Sequence, residues 1–331
     1  MKRISLAHGE GGELTERLIT EVFVKAFGNE AHAAYDAAVL ESAGSTLAIT
    51  TDSFVVKPLF FPGGNIGTLA VTGTINDLAV SGAVPLAMTA GFILEEGFPL
   101  SDLKAIVSAM ASEAEKAGVA IVAGDTKVVA KGEADGVFIN TAGIGQVYGG
   151  NGGKIREGDK VIVSGTVGDH GIAILSARNE LGLLSDVKSD CASLHPMLSN
   201  ITYGLSGVRI MRDPTRGGLA TALVEICEHH RVTVELEEGA VPLKREVEGA
   251  CDILGFDPLY LANEGKALFV ADEKDAEQIL ERLHREEKGK DARIIGRVTE
   301  AVSAGRLLMR TAAGSTRRLH RLSGLILPRI C

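Results

Sequence analysis

Apolar positions recur along this chain with two different periods. The runs TLAITTD (46–52), PLAMTAGFIL (85–94), VAIVAGDTKVV (119–129) and VFINTAGIGQVY (137–148) are short, apolar and rich in β-branched residues, and they predict strands. Between them, NIGTLAVTGTINDLAVSG predicts a helix ending at Gly82. LSDLKAIVSAMASEAEKAG has the 3.6-residue period of an amphipathic helix, with Ser101 expected as its N-cap and Gly118 at its end. The glycine-rich seam GGNGGKIREGD (149–159) interrupts the pattern. Beyond it, KVIVSG, VTVELE, ALFVAD, ARIIGRVTE and RLLMRT predict strands. DHGIAILSARNE, TRGGLATALVEICEHH, VPLKREVEGACDILG and KDAEQILERLHREEKG predict helices. Two mixed domains follow, residues 1–150 and 151–322, and no short-period repeat joins them. From Ser323 the periodicity stops. Gly324 and Pro328 forbid a continuous helix, so 323–331 is expected to be a flexible tail.

Composition narrows the picture. The chain has 331 residues, of which 45% are hydrophobic, enough for a core in each half. A net charge of −9 argues against nucleic acid or an anionic membrane as partner. The one dense basic patch, Arg317, Arg318 and Arg321, lies near the tail. The longest apolar stretch, 66–94, is broken by Asn76, Asp77, glycines and Pro85, so it predicts a buried helix and strand and not a membrane span. The N-terminus MKRISLAHGEGG lacks an apolar signal region, and a cytoplasmic protein is expected.

Four cysteines form no CxxC pair and no zinc spacing. Cys227 and Cys251 sit among apolar neighbours and read as core residues. Cys191 reads as a loop residue without an evident partner. Cys331 ends the chain, where a bare thiol is prone to oxidation and contributes no packing.

The candidate chemistry lies in carboxylates set in apolar sequence: Asp36, Asp52, Asp77 and Asp125. A carboxylate in such a setting costs several kcal/mol unless it is paired or bound to a cation. Hard oxygen ligands of this kind suit Mg²⁺ bridging to nucleotide phosphates. The bland alternative makes some of them turn or cap residues, and Asp77, in mid-helix, fits that alternative least. The glycine run around His8, Gly9, Gly11 and Gly12 could close backbone N–H groups on phosphate, or be a loose terminus. Thr126 and Lys127 follow Asp125, and the lysine could meet a phosphate as a point charge or simply be solvated. In the second half, Asp169 and His170, Asp213 and Arg216, and Glu264 sit in turn-rich polar motifs. Those aspartates could equally cap helices, and His170 reads as structural.

Taken in order, HGEGG, TTDS, NDLAVSGA, GDTK, GDHG, RDPTRGGLA and NEG, closed by PRIC, resemble the HypE family of hydrogenase maturation factors, within the aminoimidazole ribonucleotide synthetase-like (PurM-like) superfamily. The resemblance runs from His8 to Cys331. The carboxylate motifs are common to the superfamily, and the Pro-Arg-Ile-Cys end singles out this family. It implies an α/β N-terminal domain whose strands pair with a second copy in a homodimer with a barrel-like β core, followed by an α+β domain. It implies ATP-dependent dehydration of a carboxamide on the terminal cysteine to a thiocyanate, the source of cyanide for the iron of nickel–iron hydrogenases. By the resemblance, ATP would contact His8, Gly9, Gly11, Gly12, Thr126, Lys127, Asp169, Asp213 and Arg216. Asp52, Asp77 and Asp125, with Asp36 from a Tyr35–Asp36 pair, would hold Mg²⁺. Cys331 would carry the substrate, Lys127 would stabilise the transferring phosphoryl group, and Glu264 would be the base. The carbamoyltransferase HypF would load Cys331, and a HypC–HypD complex would accept the cyanide. Two other readings stand beside this one: a small-molecule synthetase or kinase of the same superfamily, which has no use for the terminal cysteine, and a non-catalytic nucleotide-binding scaffold.

Overall fold

The strand-like runs of the two halves pair into two separate sheets. The computed structural model describes residues 4–9, 11–27, 35–42, 44–149, 153–179, 182 and 185–322; the tail 323–331, with Cys331, lies outside the described residues. The chain begins with α1 (Glu13–Leu18), a π-helical segment Ile19–Val24 and a last turn, α2 (Lys25–Phe27). Then come β1 (Ala38–Ser42), β2 (Ser45–Phe54), the hairpin β3 (Phe60–Phe61) and β4 (Gly64–Asn65), α3 (Ile66–Val80), β5 (Ala83–Glu95), α4 (Leu100–Lys116), β6 (Ala120–Val129) and β7 (Val137–Val147). The second half runs β8 (Lys160–Val163), α5 (Asp169–Arg178), α6 (His195–Thr202), β9 (Val208–Arg212), α7 (Gly218–His230), β10 (Val232–Glu237), α8 (Arg245–Leu254), β11 (Leu268–Ala271), α9 (Glu273–Arg285), β12 (Arg293–Ala301), β13 (Arg306–Arg310) and β14 (Thr316–Leu319).

The first sheet has the order β1-β2-β7-β5-β6, antiparallel except for the parallel pair β5 and β6. The second has the order β14-β13-β10-β12-β8-β11-β9. Helix α3 is apolar all round, and such a helix must be covered on every side. Every residue of it except Asp77 is buried. It lies against β2, β7 and β5 of the first sheet on one side and α4 and α6 on others. Its start is fixed by Asn65, whose side chain accepts from the Gly67 and Thr68 N–H groups. Gly143 permits the close approach of helix to sheet, because a Cβ there would lie 2.9 Å from both Leu78 and Thr74.

Several expectations change. Helix α4 starts at Leu100 with Pro99 in the cap position, and Ser101 is inside it, its hydroxyl donating to Asp102 instead of capping. Cys191 does have a partner: its sulfur lies 3.0 Å from the Thr72 hydroxyl. The helix 13–27, α6 and strands β1, β9 and β14 are additional to the sequence reading.

Asn76 joins the halves. It is 2% exposed, donates to the carbonyls of Ala192 and Glu264, and accepts from the Leu194 N–H at 2.8 Å. Removing it strands the Ala192 carbonyl and the Leu194 N–H and leaves the Glu264 carbonyl only the Ala192 N–H at 3.4 Å, and a buried backbone group is costly without a partner. Asn76→Leu, similar in volume, should therefore lower the stability of the protein by about 3 kcal/mol or more, measured by urea denaturation. A loss below about 1 kcal/mol would show that the clamp is dispensable.

Candidate active site

A cavity of about 910 Å³ opens where the end of β2, the end of α3 and the segment after β9 converge. Pairing β2 with β7 points Asp52 inward with Thr141, towards α3. Asp77 sits in the last turn of α3, facing the same space. Asp36 precedes β1, and Asp213 follows β9. Asp36, Asp77 and Asp213 bring carboxylate oxygens within 4.8 Å of one another. Thr50 Oγ1 donates to Asp77 at 2.7 Å, Thr74 Oγ1 donates to Asp52 at 3.4 Å, and Asp52 and Asp77 share a side-chain hydrogen bond.

Burial raises the carboxyls of Asp36, Asp52, Asp77 and Asp213. Neighbouring negative charge adds to it: Asp77 is pushed well above its ordinary range by burial first, then by Asp52, Asp213 and Asp36. The C-terminal end of a helix dipole also disfavours an anion there. Arg212 is the countercharge on one side, at 2.9 Å from Asp36 and 2.7 Å from Glu225. Burial acts against its guanidinium, but Asp36 and Glu225 outweigh that and raise its pKa. Crowded hard-oxygen ligands of this kind fit a divalent cation, which relieves the repulsion directly.

The turn 263–265 brings Glu264 to the wall of the cavity, 4% exposed. Burial, then Asp213 and Asp190, push its carboxyl well above the usual range, while Arg216 pulls it down. Its backbone is held on both sides. Asn76 donates to its carbonyl, and Asp190 accepts from the N–H groups of Glu264 and Gly265 at 3.1 and 3.3 Å. Lys266, 3.3 Å from Asp190, neutralises that clamp.

His8, Gly9, Gly11 and Arg216 line the cavity with Asp36, Asp52, Asp77, Asp213 and Glu264. The His8 Nδ1 takes part in hydrogen bonds with Ser5, and its buried Nε2 has no partner among the described residues. Gly12 sits just beside the cavity, where a Cβ would fall 2.1 Å from the Leu322 carbonyl oxygen. Asp169 is elsewhere, buried at the start of α5 with Thr166 and Lys244, both at 2.7 Å. Asp125, Thr126 and Lys127 are on β6, the exposed edge strand. Asp125 shares its register row with Gly91, Asn140 and Ser53, one residue out of step with Asp52. It therefore points from the opposite face, three strand spacings or about 14 Å from Ser53. Within one chain these three residues and Asp169 do not join the cluster. Arg212, Glu225, Asn76 and Asp190 do belong to the surroundings of the site, although no sequence motif had singled out a role for them.

The AIR synthase related protein N-terminal domain matches residues 34–147, and the AIR synthase related protein C-terminal domain matches 156–306. The carbamoyl dehydratase HypE of Cupriavidus necator is 49% identical over 99% of this chain and 95% of its own. The solved HypE–HypF complex contains a chain 48% identical with a TM-score of 0.86, covering 92% of this chain and 99% of that one. A hydrogenase maturation protein HypE solved in complex with ATP is 44% identical with a TM-score of 0.83, covering 99% of this chain and 100% of that one.

The raised carboxyls set a pH dependence. A group whose folded pKa lies above its unfolded value binds more protons in the folded chain, so stability falls as pH rises through that window. For Asp77 and Asp213 the contribution is fully present below the unfolded value near 3.8 and is lost as pH passes the folded values. Asp77→Asn should therefore stabilise the ligand-free protein at pH 7 by about 1 kcal/mol, with the gain shrinking towards pH 4. Denaturation of parent and variant at both pH values checks this, and a variant less stable than the parent at pH 7 would contradict it.

Proposed function

The chain belongs to the AIR synthase related family and, within it, to the HypE carbamoyl dehydratases, and from that membership we propose that it dehydrates a carboxamide carried on Cys331 to a thiocyanate at the expense of ATP. The cavity with Asp36, Asp77 and Asp213 at its floor is the observation that carries the reading. Those carboxylates and Asp52 would hold Mg²⁺, which supplies charge neutralisation to the nucleotide phosphates. His8 and the backbone of Gly9 and Gly11 would receive phosphate oxygens, with Arg216 as a charged fork.

The carboxamide oxygen of S–C(=O)–NH₂ attacks the γ-phosphorus of ATP, the bridging P–O bond breaks and ADP leaves. One nitrogen proton is given up, and an O-phosphorylated carbonimidate remains. Loss of the second nitrogen proton breaks the C–O bond and releases phosphate, leaving S–C≡N. Glu264 would take the protons. Its raised carboxyl makes it a stronger base than an exposed glutamate, and Arg216 favours its charged form. The other thiols are poor competitors as carriers. Burial pushes Cys227 up to about 12 and Cys251 up to about 11, and raises Cys191 well above its ordinary value, so few thiolates exist there at neutral pH.

A homodimer fits the first sheet. Ile49, Val84, Leu86 and Ile93 are exposed on strands of that sheet, and Val122 and Val128 on edge strand β6 are 65% and 69% exposed. An apolar edge of this kind invites pairing with a second copy. A partner approaching there could bring its copies of Asp125, Thr126 and Lys127 towards this cavity. In that arrangement Lys127 would meet the transferring phosphoryl group. HypF would load the tail, and a HypC–HypD complex would accept the cyanide, in the cytoplasm.

Mass spectrometry of the C-terminal peptide tests the reading. Incubation with HypF, a carbamoyl donor and ATP should add a carbamoyl group to Cys331, and further ATP should then remove one water. Cys331→Ala should abolish both events while leaving ATP binding intact, and Cys191→Ser, Cys227→Ser and Cys251→Ser should keep both. A modification that survives the loss of Cys331 would refute the carrier role. Asp77→Asn should keep the fold and lose nucleotide turnover by a factor of about 100 or more, and normal turnover in that variant would remove the carboxylates from the mechanism. Sedimentation at micromolar concentration with ATP should give a dimer; a monomer would overturn the pairing.

A further inference from the structure

One arginine of the basic patch near the tail has a place in the site that the proposed chemistry does not yet use. Arg321 is the next-to-last described residue before the tail, and its side chain is only 13% exposed. Its guanidinium faces carboxylates from two elements: Glu16 of α1 at 2.6 Å, and Glu228 and Glu225 of α7 at 2.7 and 3.5 Å. The backbone beside it is tied as well. The Glu13 N–H donates to the Leu322 carbonyl at 3.2 Å, and the Tyr260 hydroxyl donates to the His320 carbonyl at 2.8 Å.

The element that Arg321 grips is weakly seated. The helical stretch Glu13–Phe27 buries none of its own side chains, yet Glu16, Leu18, Ile19 and Phe23 form part of the cavity wall. On the other side, the ion pairs continue inward: Glu225 is shared with Arg212, and Arg212 reaches Asp36 in the carboxylate cluster. Without Arg321, Glu16 and Glu228 would lose their shared countercharge, and Glu225 would keep only Arg212. Burial already raises Glu16, and the pull of Arg321 opposes it.

We propose that Arg321 is a positioning residue for the dehydration: it fixes the root of the carrier tail to the cavity wall formed by α1, and to α7. This rests on the reading that Cys331 carries the substrate. Nine residues can span up to about 30 Å, so length alone does not aim the thiol. The volume that the thiocarbamate explores is set by where the tail begins. Holding the root at the rim of the cavity raises the local concentration of the reacting group there and keeps the wall closed while it is inside.

Two readouts test this, one of them independent of catalysis. In Arg321→Met, which keeps the apolar stem and loses the charge and the forked donors, amide exchange across residues 11–27 should speed up about tenfold. Single-turnover loss of water from the carbamoylated tail should slow about tenfold, while affinity for a fluorescent ATP analogue stays within about twofold. Arg321→Lys should recover much of both. Glu16→Gln should reproduce the exchange effect while leaving the root bound to α7. Unchanged exchange across 11–27 in Arg321→Met would overturn the proposal, as would an unchanged dehydration rate or a loss of ATP affinity equal to the loss of rate. If the parent's loaded tail loses no water at all, the proposed function fails, and the exchange measurement still decides whether Arg321 holds the wall.

Discussion

Carboxylates gathered within 4.8 Å of one another repel, and much of this architecture exists to hold them there. Asp36, Asp77 and Asp213 come from three distant parts of the chain, so each must be fixed by its own element. Asp77 is carried by a helix covered on every side, which cannot turn away without exposing apolar surface. Asp52 is carried by a central pairing of the first sheet. Asp213 follows an edge strand of the second sheet, so the cluster requires the two sheets in register with each other. Asn76, next to Asp77, supplies part of that register by hydrogen-bonding to the loop 192–194 and to Glu264. The same helix thus bears a repulsive charge on one side and the clamp that tolerates it on another. Strain stored at a site persists when the surroundings over-determine it.

How much of this was legible follows the range of each interaction. Asp77 stood out because a carboxylate inside an apolar helical run has no cheap local explanation. Asp52 stood out for the same reason at the end of a strand. Asp125 looked alike in sequence, but strand parity sends it to the other face, and parity is fixed only by pairing with β5. Asp213 was visible as a polar turn residue, while its place in the cluster depends on β9, a strand that the pattern had not revealed. Arg212 was missed with that strand. The helix 13–27 carries Leu18, Ile19, Val22 and Phe23 close together, yet none of them enters a core, so its periodicity had no packing counterpart. The two-domain outline, the buried Cys227 and Cys251, and most helices and strands were legible because they rest on local period and composition.

The thiols divide along similar lines. Cys191, Cys227 and Cys251 are surrounded by apolar atoms and carboxylates that favour the protonated, unreactive form. Cys191 is near enough to Glu264 and Asp190 for their charge to raise it further, although it borders the site. A thiolate formed there would compete for the same electrophile, and the electrostatics that favour proton acceptance by Glu264 also suppress that competition.

The hydrogen bond from Glu13 to Leu322 closes a loop between residues some three hundred positions apart in the sequence. During synthesis at roughly 5–20 residues per second, the N-terminal helix waits on the order of 15–60 s for its partner to be made. Throughout that interval the helix lacks its tie to the end of the chain, and the cavity wall it forms is not yet fixed. Both sheets can be assembled before this contact exists, so vectorial synthesis orders the scaffold first and the enclosure of the site last. A nascent chain stalled before residue 322 would present a nearly complete fold with an open site, and the N-terminal helix, lacking its tie to Leu322, is the feature that sets it apart from the finished protein.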